Sequence, residues 1–179
     1  MKWNLDTMHS HAEFAVKHLM ISTVKGHFNT FTGTGETNAD GTLKSAELTI
    51  DATSINTNVE PRDNHLRSAD FFDVEKYPQI TFRSTKIEED GTDISITGDL
   101  TMHGVTKPVT LKGEHTQPVT DPWGNQRSAL AVAAKINRKD WGLHYNQALE
   151  AGGWVVGDEV KLNVEFEAVA VKAEASVAA

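Results

Sequence analysis

The 179-residue chain predicts an all-β domain of eight antiparallel strands with one short helical segment. Three observations carry this. Apolar residues recur with a period of two, turn signals separate the alternating runs, and one stretch alone breaks the period. Side chains two apart share a strand face, so each run has one apolar and one polar side. Short links between successive strands make neighbours antiparallel.

Taken in order, the first strand is SHAEFAVKHL, where Ala12, Phe14 and Val16 alternate with His11, Glu13 and Lys17. Val24 to Glu36 forms a less regular second strand. Ala46, Leu48, Ile50 and Ala52 give the third its apolar face, and Ile80 and Phe82 the fourth. The fifth carries Ile94, Ile96, Leu100 and Met102, the sixth Val109 and Leu111. Leu130, Val132, Ala134 and Ile136 mark the seventh. The last sets Val160, Leu162, Val164, Phe166 and Ala168 against Lys161, Asn163, Glu165 and Glu167. Turns fall at Asp40-Gly41, Asp90-Gly91, Thr120 to Asn125 and Gly157-Asp158. Asp-Gly suits hairpins because the turn needs positive φ. The exception is Pro61 to Pro78, a short helix or helical turn: Asn58 and Pro61 offer its start, Leu66, Ala69 and Phe72 share a helical face, and Pro78 stops it. It would cap one end of the sheet.

Eight such strands close into an up-and-down barrel or stack as a sandwich. They exceed the usual five or six residues, and at ~3.3 Å per residue and a ~40° tilt they make a barrel roughly 30 Å tall. Ala12, Gly98, Gly113 and Ala134 on the inner face would leave room for one slender ligand; the pattern equally allows large neighbours to fill those gaps. Alternation does not say which face points inward. A membrane barrel is disfavoured by the lack of an export signal and by only 7% aromatic residues for interfacial girdles.

Composition narrows the chemistry. There is no cysteine, which excludes disulfides, thiolate metal sites and a cysteine nucleophile. With 25 acidic and 17 basic residues the net charge is -8, unlike a nucleic-acid binder or a protein drawn to anionic membranes. No apolar run is long enough for a spanning helix. With Asp6 and Glu13 in the opening residues and no signal peptide in the chain as given, the expected compartment is the cytoplasm.

Eight histidines are the richest functional residue type. His9 and His11 would share one face of a strand, a route to zinc, but no third ligand is near in sequence. His103 sits in a turn beside Gly104, where a surface role is expected. His18 and His115 fall on apolar parity, as core or rim residues do. No G-x-S-x-G marks a serine nucleophile, and GTGET (Gly33 to Thr37) lacks phosphate-loop spacing. Arg62, Asp63, Arg67, Asp70 and Asp73 cluster in the cap, as an ion-paired solvated helix or a gate. No catalytic or metal residues are expected.

The order of motifs resembles one known family. W-x-L-D with H-S at Trp3 to Ser10, F-x-V-K-H-L at Phe14 to Leu19 and G-x-F at Gly26 to Phe28 look like the opening of the YceI-like family. R-D-x-H-L-R-S-x-D-F-F-D at Arg62 to Asp73 and Y-P-x-I-x-F at Tyr77 to Phe82 continue it. G-D-L-T-M-H-G-V-T-K at Gly98 to Lys107, I-N-R-K-D-W-G-L at Ile136 to Leu143 and V-G-D-E-V at Val156 to Val160 complete it. The resemblance implies an all-β fold, an eight-stranded antiparallel lipocalin-like up-and-down barrel with a short helical cap segment, over residues 1–172, with 173–179 a fraying tail. It implies a non-enzymatic protein that binds a long-chain polyisoprenoid, such as a prenyl quinone or prenyl lipid, in its lumen. No cofactor beyond that lipid, no nucleic acid and no membrane insertion are expected. Relatives are often periplasmic, and homodimers are common among them.

On this reading the lumen is lined by Phe14, Val16, Leu48, Ile50, Ile80, Phe82, Ile94 and Ile96, with Leu100, Leu111, Val132, Ile136, Leu162, Val164 and Phe166. The gate comprises Arg62, His65, Leu66 and Phe72 from the cap, with Tyr145, Leu149 and Trp154 from the loop after His144. Two other functions compete. One is a solid-core stress-response adaptor or chaperone; the other is an enzyme acting on a lipid, with His18 or His65 as acid or base.

Overall fold

The structure is a computed structural model that describes residues 1–172; the expected fraying of 173–179 lies outside the described residues. Its strands are β1 (Lys2–Leu5), β2 (His11–His18), β3 (Ser22–Phe28), β4 (Phe31–Thr37), β5 (Leu43–Asp51) and β6 (Ile55–Asn56). After helix α1 (Glu60–Arg67) come β7 (Gln79–Asp90), β8 (Asp93–Met102), β9 (Val105–His115), β10 (Val119–Thr120), β11 (Gln126–Asn137) and β12 (Val156–Ala170).

These segments make eight staves of a closed antiparallel barrel, the one of the two architectures left open by the alternation that the resemblance implies. β1 and β2 are two halves of the first stave, separated by a 3-10 turn at Thr7–His9. β3 and β4 form the second, the stretch expected as one irregular strand. It breaks at Asn29 and Thr30, whose amides donate to the Ser54 carbonyl and hydroxyl. β5, β7, β8, β9, β11 and β12 follow in meander order. β12 closes the ring. It pairs with β11 from Arg127↔Val169 to Asn137↔Glu159, and on its other edge with β1 (Trp3↔Ala170) and β2 (Phe14↔Leu162).

Three irregularities shape the interior. A bulge between Ser84 and Lys86 inserts one residue into β7 against β8. One extra residue inverts the alternation. Phe82 and Ser84 face inward before it; after it, Ile87 and Glu89 sit opposite the inward Ile96 and Ile94. A second bulge, between Val156 and Val160, bends the start of β12, so Gly157 lies within a strand and not in the expected turn. Thirdly, β9 and β11 pair only between Lys112–His115 and Leu130–Ala133, then diverge. Pro108, which lacks an N–H, falls in that unpaired stretch. Nearby Trp141, 2% exposed, donates its indole N–H to the Leu100 carbonyl at 3.1 Å.

The helix is shorter than expected. Pro61 sits in its first turn and fits there without loss of a needed donor. The helix ends at Arg67, with Ser68 as its cap, well before Pro78. Ala69 and Phe72 therefore lie in a run of turns, held by bonds such as Phe72 N–H to Leu66 O at 3.0 Å. Arg67 fastens α1 to the barrel through the carbonyls of Thr53 (2.7 Å) and Ile55 (2.9 Å).

Candidate ligand-binding site

The inner faces of the eight staves enclose an apolar cavity of about 290 Å³. A packing defect holds at most a water or two, at ~30 Å³ each; this volume is at the small end of ligand pockets, ~300–1,000 Å³. The barrel is not filled by its own side chains.

Every residue expected in the lumen lines this cavity. They do so in two ways. Ile50, Ile80, Phe82, Ile94, Ile96, Leu100, Val132 and Ile136 are buried among neighbours. Phe14, Val16, Leu48, Leu111, Leu162, Val164 and Phe166 line the cavity yet remain partly accessible, while the outward neighbours Lys161, Asn163 and Glu165 face solvent. Inward apolar atoms that touch nothing forfeit dispersion contacts. That deficit lies along the β12 wall, where Phe31 stacks on Phe166 with ring centres 5.8 Å apart.

The small residues expected to create room do something else at two positions. A Cβ at Gly98 would collide with the Phe82 ring, and one at Gly113 with the backbone of Ala131 and Val132. These glycines admit close approach of a ring and of β11, and the space lies elsewhere.

At one end the lumen is closed by the cap. Leu66 and Phe72 line the cavity as expected, joined by Phe71 and Leu143. Phe72 meets Phe28 edge-on at 6.1 Å. Tyr145 and His65 do not reach the cavity; with Phe71 they form a triad of rings 4.8–5.1 Å apart above it. His65 Nε2 lies 2.8 Å from Asp70. Arg62 turns away from the mouth, giving its Nε–H to the Thr57 hydroxyl (2.7 Å) and an Nη2–H to the Thr57 carbonyl (3.0 Å). Buried Asp63 accepts from the same hydroxyl at 2.6 Å. The Arg62–Asp63 pair is a brace for the helix. Leu149 and Trp154 also fall outside the expected gate. Leu149 donates to Gly153 O in its own hairpin, and Trp154 is 54% exposed near the Leu19–Met20–Ile21 turn, whose Leu19 N–H donates to Val155 O. Those apolar tips cover outer surface.

Arg138 holds this end together, and its sequence neighbourhood did not single it out. Its side chain is 4% exposed and donates to the carbonyls of Gly157 (2.9 Å), Leu143 (2.6 Å), Tyr145 (2.9 Å) and Val156 (3.4 Å). Asp158 lies 3.6 Å away. Burial pushes the guanidinium pKa down, and the Asp158 charge opposes that shift. His103, expected as a surface turn residue, is half-buried. It takes a positive φ of 52°, lies edge-on to Tyr77 at 4.9 Å and bonds through Nδ1 to the Trp141 carbonyl.

At the opposite end the lining is mixed. Trp3 donates its indole N–H to the Thr37 hydroxyl at 3.1 Å. Beside them Glu89 and His115 face the cavity, each with a side chain 13% exposed. His115 was expected on apolar parity, while Glu89 is brought there by the β7 bulge.

The His9-x-His11 pair does not share a strand face, because His9 belongs to the 3-10 turn and β2 begins at His11. Asp6, His9 and Glu167 do converge, but Arg127 reaches into that group and binds Asp6, Asp121 and Glu167 together. A guanidinium stands where a cation would. The His9 and Arg127 hydrogen bonds hold the Asp6 carboxyl down to about 2, and Arg127 holds Asp121 well below the usual carboxylate range. A depressed carboxylate pKa stabilises the fold above its ordinary value of 3.8, and that contribution is lost as pH falls through about 2. Arg127→Gln is therefore expected to lower the melting temperature by a constant amount at pH 5–7. Thermal scans should show the gap closing between about pH 4 and pH 2.

Comparison with known proteins bears on the same features. The model of one protein family, the YceI-like domain, matches residues 3–168. The protein YceI of Escherichia coli is 43% identical over 145 residues, covering 79% of this chain and 75% of that one. The crystal structure of Campylobacter jejuni YceI protein superposes with a TM-score of 0.75 at 32% identity, over 87% of this chain and 90% of that one. A polyisoprenoid binding domain from Saccharophagus degradans shares the fold, with a TM-score of 0.69 at 18% identity over 94% of this chain and 98% of that one.

Proposed function

The chain belongs to the YceI-like family, and from that premise we propose that it is a lipid-binding protein that holds one long-chain polyisoprenoid in its barrel lumen. The observation that carries the reading is the partly accessible apolar wall of Leu48, Leu111, Leu162, Val164 and Phe166 around an apolar cavity. A prenyl chain needs no directional partner along its length. It gains roughly 25 cal/mol per Å² of apolar surface withdrawn from water, so burying ~400 Å² supplies about 10 kcal/mol before ordering costs. An association cost of about 4 kcal/mol leaves about 6 kcal/mol, a Kd of tens of micromolar. The Saccharophagus degradans domain of the same fold is a polyisoprenoid binding domain, which supports this ligand class.

The reading is of a binder. The histidines that could have served an enzyme, His18 and His65, are not among the cavity-lining residues. Solvent extraction of protein purified without detergent, followed by mass spectrometry, tests the proposal. A near-stoichiometric isoprenoid is expected. An empty extract, together with no uptake of added prenyl chains, overturns it.

A further inference from the structure

The two ends of the lumen differ in chemistry, and the difference orients a ligand. At the cap end the lining is Leu66, Phe71, Phe72 and Leu143, and the one guanidinium there spends its donors on backbone carbonyls. Those four side chains offer no partner to a polar head. At the other end, Glu89 Oε1 accepts the Leu43 N–H at 2.7 Å, and Oε2 has no hydrogen-bond partner among the described residues. His115 Nε2 lies 3.2 Å from the Gly91 carbonyl. A carbonyl only accepts, so Nε2 carries the hydrogen. Nε2 and Glu89 Oε2 are 3.8 Å apart, beyond hydrogen-bond range. The free capacity at this end is thus one acceptor, the carboxylate oxygen Oε2, beside His115 at the edge of an apolar tunnel.

We propose that Glu89 and His115 form a head-group subsite that takes an uncharged hydrogen-bond donor, a hydroxyl such as that of a prenyl alcohol or quinol, with the tail running toward the cap. This deepens the lipid-binding reading and rests on it. A hydroxyl donates to the carboxylate, and a charge-assisted bond in a tunnel of low polarity is strong. An ester or ether has nothing to donate and leaves the carboxylate unpaired. A diphosphate meets a like charge. The subsite discriminates by head, while the wall discriminates by length.

The test uses three ligands with the same C20 chain: geranylgeraniol, its acetate and its diphosphate. Binding constants are measured for the wild-type chain, Glu89→Gln and His115→Gln. Wild type is expected to prefer the alcohol at least tenfold over both others. Glu89→Gln keeps an acceptor for Leu43 N–H but removes the charge, so its discrimination against the diphosphate is expected to fall at least tenfold. His115→Gln should lose part of the preference for alcohol over acetate. Equal wild-type affinities, or an unchanged alcohol-to-diphosphate ratio in Glu89→Gln, overturn the subsite and leave the lipid reading intact. If no C20 or longer chain binds at all, the lipid reading falls and the subsite with it.

Discussion

Replacing Leu162 by arginine is expected to empty the lumen of lipid without unfolding the barrel. Leu162 lies on β12 between Phe14 of β2 and Ala134 of β11, facing the cavity. With no lipid present, the introduced guanidinium can keep water around it in the open space. A bound prenyl chain would strip that water, at several kcal/mol for a desolvated charge. The expected loss of affinity is at least about 100-fold, which corresponds to ~2.7 kcal/mol. Leu162→Met, of similar volume and polarity, should bind within a few-fold of wild type. Copurified lipid and prenyl titration report binding, and circular dichroism reports the fold. Wild-type retention by a folded Leu162→Arg would remove the lumen as the site.

The largest effect on stability is expected at Arg138. Arg138→Met retains the aliphatic bulk but strands the buried Leu143 carbonyl and the partly buried carbonyls of Tyr145 and Gly157, and leaves Asp158 Oδ1 facing no charge. Each unsatisfied buried acceptor costs about 1–3 kcal/mol. Relaxation recovers some of this, so the expected net loss is about 3–5 kcal/mol. For a chain of this size that lowers the melting temperature by roughly 6–20 °C. Lysine does not rescue, since one ammonium cannot replace the planar fork. Lys139→Met next door, whose Nζ meets Asp158 at the surface, should cost under about 1 kcal/mol. Equal losses from the two substitutions would show that the carbonyl cluster is not what Arg138 holds.

The lumen wall was legible from the amino-acid sequence because most of its strands run without interruption. Ile94, Ile96 and Leu100, or Leu162, Val164 and Phe166, keep one parity throughout, so a period of two finds them. Glu89 escapes the same logic. Counting on from Ile80 and Phe82 sends Glu88 inward, and only the bulge after Ser84 exchanges it for Glu89. A bulge depends on pairing with β8, which no local pattern records. Arg138 was hidden for a different reason: a basic residue after a strand reads as solvated, and its acceptors are carbonyls, which any sequence supplies. The cap was legible in part. Leu66 and Phe72 reach the cavity, but the helical period assigned to the whole cap ends at Arg67. Trp154 has the amphipathic character of a gate residue, and that character does not reveal the direction a hairpin faces.

The way the ring is closed also bears on how the chain folds. β12 completes the barrel by pairing with β1 and β2, so the earliest strands wait for the latest. Until then the meander from β1 to β11 is an open sheet, unpaired along the outer edges of β1–β2 and of β11, whose inner apolar face is uncovered. Contacts of such wide sequence separation are slow to form. An unclosed sheet is also prone to join another copy edge to edge. Premature stops that remove β12 should therefore yield an aggregating product, and refolding yield should fall steeply as protein concentration rises.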